Sequence, residues 1–208
     1  MTRSSVLVSP RRLPGTLDVP DGAVRGVVIF AHGSGSSRLS PRNQFVAGTL
    51  QGRGLATLLF DLLTDDEALD RRNVFDIPLL ARRLGEAIDW QAQRDEIAGL
   101  PVGLFGASTG AAAALVAAAG HPERVDAVVS RGGRPDLAGA ALPLVRAPTL
   151  LIVGGEDREV LALNQRAAHQ MTCAHDIRVV PGATHLFEEP GTLERVAADA
   201  ASWFERYL

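Results

Sequence analysis

Residues 101–119, PVGLFGASTGAAAALVAAA, decide how this chain folds. The first five residues are apolar and favour β-structure, which predicts a buried strand. The alanine-rich run that follows predicts a helix, and Gly120 and Pro122 mark its end. Between the strand and the helix stands Gly106-Ala107-Ser108-Thr109-Gly110, a G-x-S-x-G motif.

This motif, in this setting, predicts a sharp turn that exposes the hydroxyl of Ser108. A strand, G-x-S-x-G and a helix together form the arrangement called a nucleophile elbow. Side chains at Gly106 and Gly110 would collide with the neighbouring strand and helix. The helix N-terminus directs free N–H groups at any negative charge that develops beside Ser108. The alternative is a glycine-rich turn that contains a serine by chance.

Length and composition limit the possible functions. The chain has 208 residues, of which 46% are hydrophobic and 22% charged, and we expect one domain over 1–208. A net charge of −3 gives no reason to expect nucleic acid or membrane as a partner. One cysteine, Cys173, excludes an internal disulfide, and we expect it to be a passive thiol. The first residues lack the apolar region of a signal peptide, so we expect a cytoplasmic protein.

Apolar strands alternate with helices along the chain. Buried strands are predicted over 26–31, 55–60, 125–130, 149–153 and 177–180, besides the one before the elbow. Helices are predicted over 41–52, after Asp76 and Pro78, over 160–171 and after Pro190. The helix at 41–52 is predicted to carry Phe45, Val46, Thr49 and Leu50 on one side. Residues 6–8 and 17–19 predict an antiparallel edge pair, and the charged residues 65–73 an exposed loop. The alternation predicts an α/β fold, with a mostly parallel sheet and helices on both faces.

Polar side chains follow several of these strands, where α/β sheets gather their functional groups. A serine attacks an acyl carbon only if a base takes its proton, and a third group must orient that base. Among the five histidines, only His32 and His185 follow strands. His32 opens a His-Gly loop, which it is expected to shape, so His185 is the predicted base.

Three acids compete for the role of orienting the base. Asp157 lies two residues after a Gly-Gly turn at a strand end, which suits a side chain that reaches the site. Glu156 adjoins it, and Asp136 follows the preceding strand. We predict Asp157, because it completes the order Ser, Asp, His along the chain.

Two backbone N–H groups are predicted to stabilise the oxyanion formed on attack: that of Thr109 and that of Ser34. Two further residues are candidates for contacting the substrate. His32 begins the loop that holds Ser34. Arg131 directly follows a predicted strand, and its guanidinium could bind an anionic group through two parallel hydrogen bonds. The alternative for Arg131 is a structural role, paired with an acid such as Asp136 or bonded to loop carbonyls.

The chain resembles the α/β-hydrolase superfamily, and within it the small enzymes related to dienelactone hydrolase. The motifs that carry the resemblance span nearly the whole chain: residues 32–35, 61–64, 106–110, 154–157 and 182–185. It implies an α/β-hydrolase fold and a Ser108, Asp157, His185 triad. Dienelactone hydrolases proper have cysteine in place of Ser108, which favours a general serine esterase. The resemblance also suggests domains found alone or fused to phosphoribosyltransferases, and we expect no such second domain within these residues.

The expected function is hydrolysis of carboxylic esters, lactones or thioesters of small molecules through an acyl-Ser108 intermediate, without metal or organic cofactor. The alternatives are acyl transfer on the same scaffold and a non-catalytic binding module. Only about 18 residues separate the strand at 125–130 from the next, so no cap domain is expected and the site should be open and shallow. The sequence does not indicate the substrate or the oligomeric state.

Overall fold

The computed structural model describes residues 1–208 and contains one eight-stranded sheet. The strands are β1 (Thr2–Val8), β2 (Leu13–Val19), β3 (Gly26–Ala31), β4 (Leu55–Phe60), β5 (Val102–Ala107), β6 (Ala127–Arg131), β7 (Thr149–Gly154) and β8 (His175–Val180). Their order across the sheet is β1-β2-β4-β3-β5-β6-β7-β8. β1 pairs antiparallel with β2, and β2 with β4, whereas all pairs from β4 through β8 are parallel.

Helices cover both faces of this sheet. They are α1 (Pro41–Gln51), α2 (Asp65–Ala68), α3 (Arg71–Val74), α4 (Ile77–Gln91), α5 (Thr109–Gly120), α6 (Arg158–Ala168) and α7 (Thr192–Tyr207). α4, α5 and α6 pack on one face in a core cluster of 37 buried residues, and α1 and α7 pack on the other in a cluster of 21. The central strands β3, β4, β5, β6 and β7 are buried throughout, which explains their continuous apolar sequences. The predicted α/β-hydrolase fold is confirmed.

Two local predictions were wrong. Residues 65–73, predicted as an exposed loop, contain the short helices α2 and α3. Thr64 and Glu67 form a reciprocal capping box at the start of α2, in which each side chain binds the other residue's backbone N–H. Phe45, predicted to share one side of α1 with Val46 and Leu50, is 42% exposed, whereas Val46 and Leu50 are buried.

The connection between β6 and β7 carries no cap domain. It contains a 3-10 segment, Pro135–Leu144, kinked at Gly139. Ala138 and Leu142 of this segment are buried in the core cluster beside α5. The segment therefore packs into the core beside α5 and forms no separate helical layer. No helix combines the length and the apolar sequence that crossing a bilayer requires.

Candidate active site

Ser108 stands at the carboxyl end of β5 in a strained backbone conformation. Its φ of 50° and ψ of −120° lie where residues other than glycine seldom occur. The strained residue is held by its own backbone: its N–H donates to the carbonyl of Arg131 at 3.3 Å, and its carbonyl accepts from Arg134 N–H at 3.1 Å. The next residue, Thr109, begins α5. The sharp turn expected of a nucleophile elbow is therefore present.

Close approach of the backbone explains both flanking glycines. A Cβ at Gly106 would lie 2.4 Å from Cα of Ala111 in α5. A Cβ at Gly110 would lie 2.2 Å from the carbonyl oxygen of Ala31 at the end of β3. Real Cβ atoms do not approach backbone this closely, so any side chain here would push the elbow helix away from the sheet.

His185 and Asp157 come together on two neighbouring loops at the same edge of the sheet. Asp157 follows β7, and His185 lies in the loop between β8 and α7. The His185 Nδ1–H donates to Asp157 Oδ2 at 2.6 Å, and the carboxylate is largely buried. This bond leaves the Nε2 atom of His185 available as a proton acceptor.

Asp136 and three of the competing histidines lie apart from this pair. Asp136 forms a two-hydrogen-bond pair with Arg134, at 2.9 and 2.8 Å. His121 bonds the carbonyl of Ala117 at the end of α5, and His169 caps α6. His175 begins β8, at the opposite end of that strand from His185. The structure therefore brings together the acid and base that the sequence predicted.

The two predicted oxyanion donors lie on adjoining elements. The Thr109 N–H, at the first position of α5, donates to no group of the protein. The Ser34 N–H donates to the Thr109 hydroxyl at 3.0 Å. Ser34 is thus beside the elbow, as predicted, but its N–H already has a partner. Its role as an oxyanion donor stays a prediction.

A family model of the dienelactone hydrolase family matches residues 13–208. The chain belongs to the dienelactone hydrolase family. It is also 56% identical to a crystal structure of a dienelactone hydrolase from Anabaena variabilis, with a TM-score of 0.94 and coverage of 100% of this chain and 97% of that one. The esterase Est1E from Butyrivibrio proteoclasticus shares the fold at a TM-score of 0.82, with 16% identity over 99% and 98% of the two chains.

A longer relative carries a different name. The chain is 61% identical over 203 residues to a Mycobacterium tuberculosis protein named "Putative phosphoribosyl transferase". The match covers 98% of this chain but 46% of that protein. The chain thus spans about half the length of this relative, and the name describes a protein of which the matching region is one part.

In this family member, a cavity of about 220 Å³ opens between the elbow and α2, α3 and α4. Gly33 and Thr109 border it on the side of the elbow. Its apolar lining comes from elements far apart in the chain: Leu62, Leu63, Ala68, Val74 and Leu80. An enclosed apolar cavity of about 150 Å³ can hold benzene, so this cavity has room for a small acyl group.

His32 joins the loops at the floor of this cavity. Its Nδ1–H donates to the carbonyl of Gly33 at 3.1 Å, and its Nε2 accepts from Leu62 N–H at 3.1 Å. Because both nitrogens are bonded to backbone, the imidazole is neutral and has none left to bind a substrate. Burial lowers the pKa of His32 below its usual value. The ring lines the cavity while it holds the Gly33 loop in place, the loop-shaping role expected from the sequence.

Arg131 is the last residue of β6 and is buried beside the site, with 6% of its surface exposed. Its side chain lies next to Asn43 of α1 and Phe187, two residues after His185. Sequence analysis did not identify Asn43, Phe187 or the nearby Arg42 as functional candidates. No local signal marks them, because they approach Arg131 only through the packing of α1 and the His185 loop.

Proposed function

We propose that this member of the dienelactone hydrolase family is a serine hydrolase of carboxylic esters, lactones or thioesters of small molecules. The observation that carries the proposal is the hydrogen-bonded pair of His185 and Asp157 at the same sheet edge as the strained Ser108. A serine hydroxyl is a weak nucleophile unless a base removes its proton. The pair supplies that base in a fixed tautomer.

The reaction would proceed in two halves. In the first, Oγ of Ser108 bonds to the acyl carbon as His185 Nε2 takes the hydroxyl proton. The tetrahedral intermediate then expels the alcohol or thiol, which receives that proton from His185, and leaves an acyl-Ser108 ester. In the second half, His185 takes a proton from water, the hydroxide attacks the same carbon, and the acid leaves as Oγ regains its proton.

Two features would stabilise charge during these steps. The carboxylate of Asp157 faces the imidazolium formed when His185 accepts a proton. The Thr109 N–H at the start of α5 would donate to the oxyanion, with the helix dipole adding to its effect. Ser34 N–H would serve as second donor if it exchanged the Thr109 hydroxyl for the substrate oxygen.

The size of the cavity beside Thr109 suggests the class of acyl group. Apolar side chains and about 220 Å³ of space favour a short aliphatic or single-ring acyl group over a long chain. We therefore propose short-chain carboxylic esters, lactones and thioesters as substrates.

A fluorophosphonate probe tests the proposal directly, since it forms a covalent bond only with an activated serine. We expect one label per chain, located at Ser108 by mass spectrometry, and hydrolysis of p-nitrophenyl acetate or butyrate. Ser108→Ala should abolish both signals, whereas Ser130→Ala, a change at a buried serine on the neighbouring strand, should keep the label. A folded wild-type protein that is neither labelled nor active on these esters would contradict the proposal and favour a binding module.

A further inference from the structure

Asn164 is a polar residue of α6 with none of its surface exposed to solvent. Its Nδ2 donates two hydrogen bonds, one to the carbonyl of Val160 in the preceding turn at 2.8 Å and one to the carbonyl of Gly133 at 3.0 Å. Its Oδ1 is buried and accepts no hydrogen bond. Because an unpaired buried oxygen is costly, what the amide contributes at this position is its two N–H donors.

The Gly133 carbonyl and the Arg134 N–H belong to the same peptide group. The carbonyl accepts from Asn164 and has no backbone partner, whereas the N–H donates to the carbonyl of Ser108 at 3.1 Å. A peptide group is planar and rigid, so a hydrogen bond that fixes its carbonyl also fixes the direction of its N–H. Asn164 therefore acts on the backbone of Ser108 through a single peptide group.

The segment 131–134 lies directly against the elbow. A Cβ at Gly133 would be 2.5 Å from Cβ of Ala111 in α5, so no side chain fits between the segment and that helix. At the start of the segment, the Arg131 carbonyl accepts the Ser108 N–H at 3.3 Å. The segment 131–134 thus bonds both backbone polar groups of the strained Ser108.

The bond from Asn164 connects this segment to the proposed acid. The helix α6 begins directly after Asp157, and Asn164 lies further along the same helix. Its hydrogen bond to Gly133 joins that helix to the segment that holds Ser108. The segment also adjoins the proposed base, since a Cβ at Gly132 would be 3.1 Å from the carbonyl oxygen of His185.

We propose that Asn164 is a positioning residue, which through the Gly133 carbonyl fixes Ser108 relative to the proposed acid and base. This inference rests on the proposed hydrolase function. A strained backbone such as that of Ser108 persists only where the surrounding contacts over-determine it. Proton transfer from Oγ to His185 depends on the placement of both groups, and a displacement of about 1 Å can cost about 10²-fold in rate.

Two variants separate the bond within α6 from the bond to the segment. Asn164→Leu has a similar shape and removes both. Asn164→Thr keeps a hydroxyl that can bond the Val160 carbonyl within the helix, but its side chain is too short to reach Gly133. The matched control is Gln91→Met, at a buried amide of α4 that donates to the carbonyl of Ile97 on the connection leading into β5.

Amide hydrogen exchange, followed by NMR, measures the positioning without any reaction. In both Asn164 variants the N–H groups of Arg134 and Ser108 should exchange about tenfold faster, relative to those of β3, than in wild type. Gln91→Met should leave this ratio unchanged, because a general loss of stability speeds exchange throughout the sheet. An unchanged ratio in the Asn164 variants would overturn the proposal.

Labelling of Ser108 by a fluorophosphonate probe measures the effect on reactivity. The labelling rate should fall about 10²-fold in both Asn164 variants, and kcat for p-nitrophenyl acetate should fall with it while KM stays close to that of wild type. Gln91→Met should retain both rates, although it too loses a buried hydrogen bond.

Three results would contradict the role of Asn164: an unchanged labelling rate in both of its variants, an equal loss in Gln91→Met, or a wild-type rate in Asn164→Thr, which would assign the effect of leucine to the bond within α6. If wild type is neither labelled nor active on esters, the proposed function fails. The exchange of the Arg134 N–H then still decides whether Asn164 positions Ser108.

Discussion

Replacing Arg131 with methionine should stabilise the folded protein. Burial, together with the nearby Arg42, lowers the pKa of the Arg131 guanidinium to about 10. The ordinary pKa of arginine is considerably higher, and each step of one in pKa corresponds to about 1.4 kcal/mol. Keeping this charge in the folded state therefore costs about 3 kcal/mol.

The sign follows from proton binding in the two states. The unfolded chain holds this proton more tightly than the folded chain does. At neutral pH both states are charged, so the full cost is present there. It disappears only as the pH rises above about 10, where the folded chain begins to lose this proton. Methionine is uncharged and similar in shape to the arginine stem, so the substitution removes the cost at every pH.

Two lost contacts offset part of this gain. The contact of the Arg131 cation with the Phe187 ring is worth about 1 kcal/mol. Leaving the Asn43 carbonyl oxygen without its long hydrogen bond costs about 1 kcal/mol more. The net gain is then about 1 kcal/mol, and a chain of this size should gain about 2–4 °C in melting temperature.

Thermal unfolding followed by circular dichroism at pH 7.5, in a buffer without phosphate or carboxylate, measures this effect. The matched control is Arg83→Met. Arg83 is equally buried, with 4% of its side chain exposed, but it pairs with Glu67 at 2.6 Å and Glu86 at 3.3 Å. Its replacement should lower stability by about 2 kcal/mol, because two partly buried carboxylates lose their cation. If Arg131→Met also lowered the melting temperature, the cost assigned to the unpaired charge would be refuted and Arg131 would be structural.

Four further predictions concern catalysis and pH. Asp157→Asn should reduce ester turnover about 10³–10⁴-fold with the fold intact, whereas Asp136→Asn should have little effect. If steady-state kinetics gave the reverse, Asp136 would be the residue that orients the base. Ser108→Ala and His185→Ala should each abolish most turnover, and additive losses in the double variant would show that the two do not act as a unit. Turnover of p-nitrophenyl esters should fall beyond about six acyl carbons, without activation at a lipid–water interface, because the cavity is small and no cap covers the site. The free energy of unfolding should fall as the pH drops below about 6.5, because burial lowers the pKa of His32 and the unfolded chain therefore binds a proton that the folded chain does not. The melting temperature of His32→Asn should depend less on pH over that range.

The sequence by itself determined the buried strands of the sheet and the sharp turn at Ser108. The bounds of β3 and β4 match those predicted, because a strand covered on both faces must be apolar at every position, and that signal is local. The strain at Ser108 was likewise predictable from the two glycines around it. The sequence did not predict the helices in residues 65–73, because this charged stretch has no periodic apolar pattern. A capping box nevertheless begins a short helix there.

Tertiary structure decided which acid pairs with the base and what surrounds Arg131. The sequence favoured Asp157 over Asp136 and Glu156 by position alone, and the contacts support that choice: the Asp157 carboxylate reaches His185, whereas that of Asp136 is taken by Arg134. The charge state and partners of a buried group depend on residues distant in the chain. Asn43 lies 88 positions from Arg131 in the sequence. Only the packing of α1 against the end of β6 places the Asn43 amide, and no carboxylate, beside the Arg131 guanidinium. That Arg131 is buried without an acidic partner therefore cannot be predicted from any single stretch of the sequence.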